Sequence, residues 1–265
     1  MALTVASITC LAACGGGGDN STPIADAPAP AATPAFDLSS ANCHNAADLI
    51  EGTTLTVETV ATDDGVARPP NSYTFTTGPR VAFGGANPVS VRQTFSGIPT
   101  ASRTTYKDAI DGYALTYGLA STDSATGFTF VSTLQPPSVV PMDLQPGQLY
   151  SSTYQQKSIN TSSTGITEQA ASIKYELTYV GREVYAGPLG SFDTCKFSSK
   201  TTTTTAATPV APSVTFTAVI ESWIAAEGPY RGQLLKSRTP PQNDSPSETT
   251  TVATKMTYSP ATAPR

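Results

Sequence analysis

Apolar and polar residues alternate along most of the chain from residue 53 onward. Ile173, Tyr175, Leu177 and Tyr179 alternate with Ser172, Lys174, Glu176 and Thr178. Val214, Phe216, Ala218 and Ile220 alternate with Ser213, Thr215, Thr217 and Val219. Tyr113, Leu115, Tyr117 and Leu119 alternate with Ala114, Thr116 and Gly118, and Phe128 and Phe130 with Thr129 and Val131. A period of two puts successive side chains on opposite faces of a strand, one buried and one wet. Such strands belong to antiparallel sheets. The pattern predicts eleven strands, near 53–62, 73–77, 89–96, 103–107, 113–120, 127–134, 149–157, 172–185, 193–206, 213–223 and 248–258, with a short further one at 231–238. No segment keeps a 3.6-residue apolar period, so no long helix is expected. The predicted fold class is mainly β, an antiparallel curved sheet in a half-barrel or open barrel. A β-sandwich is the alternative.

Turn chemistry fits between these strands. Asp63-Asp64-Gly65 and Asp111-Gly112 supply residues that tolerate positive φ. Pro69-Pro70 and Pro136-Pro137 read as strand breaks, and the second marks a candidate subdivision near 136–147 of a β-domain spanning 41–258. Asn45 to Glu51 predicts one helical turn, ended by Gly52. Thr201 to Thr205 reads as the exposed end of a long strand or a hairpin rim, and 259–265 as a frayed tail.

Composition narrows the setting. Thr and Ser make up about a quarter of the 265 residues. Charged residues are 13% of the chain, about half the usual ~25%. A surface built on hydroxyls suits an extracytoplasmic β-protein. The net charge is -5 and the basic residues are scattered, which argues against a nucleic-acid partner. With one His and one Trp, the chain has almost no material for a His-based metal site or a Ser-His-Asp triad. Neither a cofactor nor a metal is expected.

The N-terminus carries an address. Residues 2–13 form an uncharged apolar run, too short for a bilayer-spanning helix of ~20 residues. Leu11-Ala12-Ala13-Cys14 resembles a bacterial lipobox, whose Cys is acylated and becomes the new N-terminus. The resemblance implies a signal peptide over 1–13 and a lipidated Gly/Pro/Ala-rich tether over 14–40. Membrane attachment would then run through Cys14, since several acyl chains hold where one anchors only marginally. Gly15 in place of Asp resembles the outer-membrane sorting pattern, with the periplasmic face expected. Cys10 leaves with the signal and Cys14 carries lipid, so Cys43 and Cys195 remain as one pair. In an oxidising compartment they are expected to form a disulfide.

A second resemblance covers about 139–238. Tyr179-Val180-Gly181-Arg182-Glu183-Val184 precedes Gly187-Pro188-Leu189-Gly190-Ser191-Phe192-Asp193-Thr194-Cys195-Lys196-Phe197. Glu221-Ser222-Trp223-Ile224-Ala225, Gly228 and Leu234-Leu235-Lys236-Ser237 follow, and Pro141 to Gly147 lies upstream. This is similar to uncharacterised proteobacterial secreted or lipid-anchored β-proteins, and resembles periplasmic half-barrel carriers of lipids and lipoproteins. The resemblance implies a curved sheet around an apolar concavity. It brings no catalytic residue.

Candidate site residues follow from this reading. Trp223 stands on the more polar face of its strand, where an aromatic can line a ligand surface. Tyr175, Tyr179, Phe128 and Phe130 would line the concavity of a half-barrel or fill a closed core. His44 lacks the companion ligands a metal needs. Asp63, Asp64, Asp108, Asp111 and Asp123 match no calcium loop and read mainly as turn residues. Ser191 lacks a Gly-x-Ser-x-Gly setting and a base. Arg182 and Glu183 point to opposite faces of a strand, and each is expected to find a cross-strand partner. The functional expectation is a non-catalytic, membrane-anchored periplasmic or surface lipoprotein with a structural or binding role, in its sharper version binding an apolar ligand such as lipid. The rival is an adaptor that pairs with an envelope protein through a sheet edge. A carboxylate-based hydrolase is the third class.

Overall fold

The computed structural model describes residues 38–207, 212–242 and 247–262. Their strands are β1 (Thr54–Asp63), β2 (Val66–Ala67), β3 (Asn71–Arg80), β4 (Val89–Phe95), β5 (Ile98–Ile110), β6 (Tyr113–Asp123) and β7 (Phe128–Pro141). There follow β8 (Leu149–Ser162), β9 (Gly165–Gly187), β10 (Gly190–Thr205), β11 (Thr215–Ala225), β12 (Leu234–Thr239) and β13 (Thr249–Ser259). From β3 to β13 each strand pairs antiparallel with its sequence neighbours. The last strand pairs with the first, with Leu55 opposite Tyr258 and Val57 opposite Met256. The sheet therefore closes into a barrel of twelve strands, with β2 a stub paired only to β1. The expected antiparallel curved sheet is present. Its curvature runs through a full turn, so the barrel is closed where a half-barrel or open barrel was expected, and no sandwich forms. Closure satisfies the backbone groups that two free edges would expose.

The threonine content has a structural use on the outer face. Hydroxyls of residues opposite each other in register meet across strands: Thr56 and Thr74 at 3.0 Å, Ser102 and Thr122 at 3.1 Å, and Thr204 and Thr215 at 2.9 Å. Cross-strand pairs of this kind are the unit of sheet stabilisation. They take the place of Lys/Glu pairs in a chain with few charges.

Pro136 and Pro137 do not end β7. Pairing with β8 stops at Gln135, and pairing with β6 resumes only at Ser138. The prolines thus sit where the ladder needs no N–H from them. Strands on both sides of this point belong to one sheet. Gly118 lies in the same irregularity, with φ +146°, and a β-carbon there would stand 2.0 Å from the Ser132 carbonyl oxygen. Only glycine allows β6 and β7 to approach so closely.

One end of the barrel is capped by the segment that precedes β1. Residues Ser40–Cys43 and Ala46–Leu49 form short 3-10 turns, the second capped by the Asn45 side chain, which accepts from the Ala47 N–H at 3.1 Å. The Ser40 hydroxyl donates to the Met142 carbonyl at 3.0 Å and accepts from the Leu144 N–H at 2.9 Å. Tyr179 donates its hydroxyl to the Leu38 carbonyl at 2.7 Å. Cys43 and Cys195 form a disulfide across 152 residues. Around it Leu144, Leu177, Tyr179 and Phe197 make the main buried cluster. A second cluster joins Val57, Ala225, Leu235, Ala253 and Met256 near the β1–β13 seam.

The Arg80–Asp108 pair ties β3 to β5 across β4 at the capped end. The guanidinium donates from both terminal nitrogens to the two carboxylate oxygens, at 2.5 and 2.8 Å. The Arg80 hydrogen bonds hold the Asp108 carboxyl below the usual carboxylate range, against the opposing effect of burial. A depressed folded pKa adds stability that is present above the unfolded value and is lost as pH falls through the folded one. Asp108→Asn is therefore expected to cost about 1–2 kcal/mol at neutral pH, held down by the half-exposed guanidinium. Thermal melts of both proteins from pH 7 to pH 2.5 check this. The difference between them should shrink below about pH 4, and a constant difference across that range overturns the assignment.

Candidate functional site

Beneath the cap, the inner face of the barrel lines a half-open cavity of about 260 Å³. Five strands supply its wall through the alternation of their side chains. Register pairs Leu55 with Phe75 and Val57 with Tyr73 across β1 and β3, and Thr77 with Val91 across β3 and β4. Met256 and Tyr258 close the ring from β13. The floor comes from Asp48 and Thr53 before β1 and from Gly232, Gln233 and Leu234 at the entry to β12. Gly232 is close to Asn45: a β-carbon would stand 2.7 Å from the Asn45 Cβ.

Two opposite charges face this apolar wall. Asp48 is fixed: its Oδ1 accepts from the Tyr258 hydroxyl at 2.7 Å and from the Gln233 amide at 2.9 Å. Burial pushes its carboxyl up, and the two hydrogen bonds oppose that. Burial and the bond to Asp48 push the Tyr258 hydroxyl up. Lys107 on β5 is half-buried and faces the cavity. Burial lowers its pKa, and the negative charge of Asp48 opposes the shift. Among the described residues none gives the Lys107 ammonium a hydrogen bond or an ion pair.

The residues singled out from sequence lie elsewhere. Trp223 is 5% exposed. Its register partners Lys196 and Lys236 hold their ammonium groups 4.8 and 4.4 Å from its ring, and its indole N–H donates to Glu183. It stands on the face opposite Ser222 and Phe197, outside the barrel. Tyr179 is fully buried and Tyr175 packs against the same cluster, its hydroxyl pushed up to about 12 by burial. Phe128 is exposed at the uncapped end and Phe130 half-buried. None of these five lines the cavity. Cys14, the signal peptide and the tether up to residue 37 fall outside the described residues.

The aspartates do not converge. Asp63 pairs with Arg68 and accepts from the Thr249 hydroxyl, Asp64 accepts from the Glu248 N–H, and Asp111 and Asp123 shape turns. Arg182 donates to Asp193 at 2.7 and 3.1 Å, with one nitrogen 3.6 Å from the Cys195 sulfur. Burial and nearby Arg231 lower the His44 pKa, and its Nε2 has no hydrogen-bond partner among the described residues. No group of three or more His, Cys, Asp or Glu residues that could hold a metal occurs among the described residues.

Sequence reasoning missed the cavity residues because alternation along a strand does not say which of its faces is the concave one. In the structure the 81–88 loop covers the outer face of β5, and Phe83 stacks on Tyr106 with ring centroids 3.7 Å apart. Asp108 is taken by Arg80, and Lys107 is left pointing inward.

No family model and no curated protein matches the sequence. Two solved structures are similar in outline. One is a Bacteroides fragilis protein inferred to be exported, with a YmcC-like fold. It is 13% identical, with a TM-score of 0.39 over 78% of this chain and 96% of that one. The other is a Parabacteroides distasonis protein inferred to be a lipoprotein. It is 9% identical, with a TM-score of 0.39 over 79% of this chain and 96% of that one. Likenesses of this size transfer neither kinship nor role to this chain.

Proposed function

We propose that the protein is a non-catalytic envelope lipoprotein that binds a small apolar ligand inside the capped end of its barrel. The observation that carries the reading is the cavity itself, walled by Leu55, Val57, Phe75, Val91 and Met256 on the inner face of a closed sheet. Its volume of about 260 Å³ lies below the ~300–1,000 Å³ common for small-molecule pockets. That size suits a single chain better than a whole diacyl lipid. Burying about 250 Å² of ligand surface would contribute about 6 kcal/mol at 25 cal/mol per Å², before the cost of association. In this reading acylated Cys14 and the tether hold the barrel at the outer membrane, on its periplasmic face. The rival reading, a protein partner at a sheet edge, has little to use. The twelve barrel strands are paired on both sides, and the edge strand β2 is two residues long.

Native mass spectrometry tests the proposal on the Cys14→Ser form, purified from periplasm without detergent, with solvent extraction of anything bound. A stoichiometric apolar adduct of single-chain size is the expected result. A clean unliganded mass that takes up no added single-chain amphiphile overturns it.

A further inference from the structure

We infer that the cavity selects a single-chain amphiphile with an anionic head, a medium-chain carboxylate in type, held at the head by the Lys107 ammonium. The inference rests on the apolar-ligand reading and deepens it, by assigning the ligand's charge.

The argument starts from an unmet need. An ammonium carries three N–H donors and accepts nothing. Taken out of bulk water it needs an acceptor, and burying it without one is among the costliest arrangements a fold can keep. Lys107 approaches that state: it is half-buried, faces the cavity, and has no hydrogen-bonding or ion-pairing partner among the described residues. The opposite charge in the same cavity differs. Asp48 has two donors on one oxygen, from Tyr258 and Gln233, and these fix it to the floor. A cationic head would find the charge of this carboxylate already partly offset by both donors. A neutral hydroxyl head would satisfy one Lys107 N–H without returning any charge attraction. A carboxylate head returns both, and charge-assisted bonds of this kind are shorter and stronger than neutral ones. The chain behind the head meets Leu55, Val57, Phe75, Val91 and Met256. The cavity is small enough that head and tail are both specified.

Isothermal titration of the full-length Cys14→Ser protein tests this with three probes of equal chain length: decanoate, decanol and decyltrimethylammonium. Decanoate should bind one to one, about tenfold or more tighter than decanol. Lys107→Met keeps the length and apolar character of the side chain. It should erase that preference by weakening decanoate alone, leaving decanol within about threefold. Val57→Trp fills the cavity and keeps Lys107, and should remove binding of both. Circular dichroism melts establish that each variant is folded. Equal binding of decanoate and decanol, unaltered in Lys107→Met, overturns the charge assignment and leaves the apolar-ligand reading standing. Tightest binding of decyltrimethylammonium overturns it in favour of Asp48. If no probe binds, or if Val57→Trp binds as the parent does, the cavity is not the site and both readings fall.

Discussion

Replacing Cys43 and Cys195 together by serine should lower the melting temperature by about 10–20 °C. The bridge spans 152 residues. In the chain-entropy account, a loop of that length removes about 5 kcal/mol of freedom from the unfolded chain. For a domain of this size each kcal/mol is worth about 2–4 °C. The effect should also be local. Cys43 is the covalent tie between the cap and β10, and the cap supplies Asp48 and Thr53 to the cavity floor. The double variant should therefore bind decanoate more weakly even at temperatures where the barrel is intact. Calorimetry of parent and variant, with the parent also measured under reductant, reads the stability effect. A shift under about 3 °C in both comparisons means that the cap is held by its hydrogen bonds and packing alone.

The second large effect is expected at Gly118. A β-carbon there meets the Ser132 carbonyl oxygen at 2.0 Å and Phe83 at 3.0 Å, on a backbone with φ +146°. Both the clash and the dihedral are unfavourable, so Gly118→Ala should cost about 3 kcal/mol or more and lower the melting temperature by about 6–12 °C. Gly97→Ala is the control: nothing lies within 4 Å of its β-carbon and its φ is ordinary. It should stay within about 0.5 kcal/mol of the parent. Equal melting temperatures for the two variants would show that β6 and β7 can part without loss.

Much of the barrel was legible because its strands are wet on one side. The alternation of Ile173 to Tyr179 and of Val214 to Ile220 places β9 and β11 to within a few residues, except that β9 begins earlier, at Gly165. The start of β9 escaped because Gly165 to Ala170 is exposed, and no buried face imposes a period there. β7 was read as broken at Pro136, since a proline in a fully paired strand would lose a ladder bond. The interruption of both ladders at that point was not visible in one strand alone. Closure was not legible either. It depends on the summed twist and stagger of twelve strands, and no local stretch carries that sum. The site escaped for a related reason. Alternation says which residues share a face, but not which face is concave. Trp223 stands on the outer face and is buried by two lysine stems and Glu183. Lys107 stands on the inner face, and nothing in the sequence of its strand marks that face as the concave one.

Pairing the first strand with the last also sets the timing of folding. Every other contact along the sheet joins sequence neighbours, and hairpins of that kind form as soon as both arms exist. The seam between Val57 and Met256 spans nearly the whole domain, so it forms only after Thr249–Ser259 has been synthesised. Part of the cap waits on the same event, since Tyr258 holds both Asn45 and Asp48. Until then the chain is an open ribbon with two unpaired edges, the form most exposed to association with other chains. A nascent chain stalled before β13 therefore lacks the seam and part of the cap together, and its binding chamber cannot assemble.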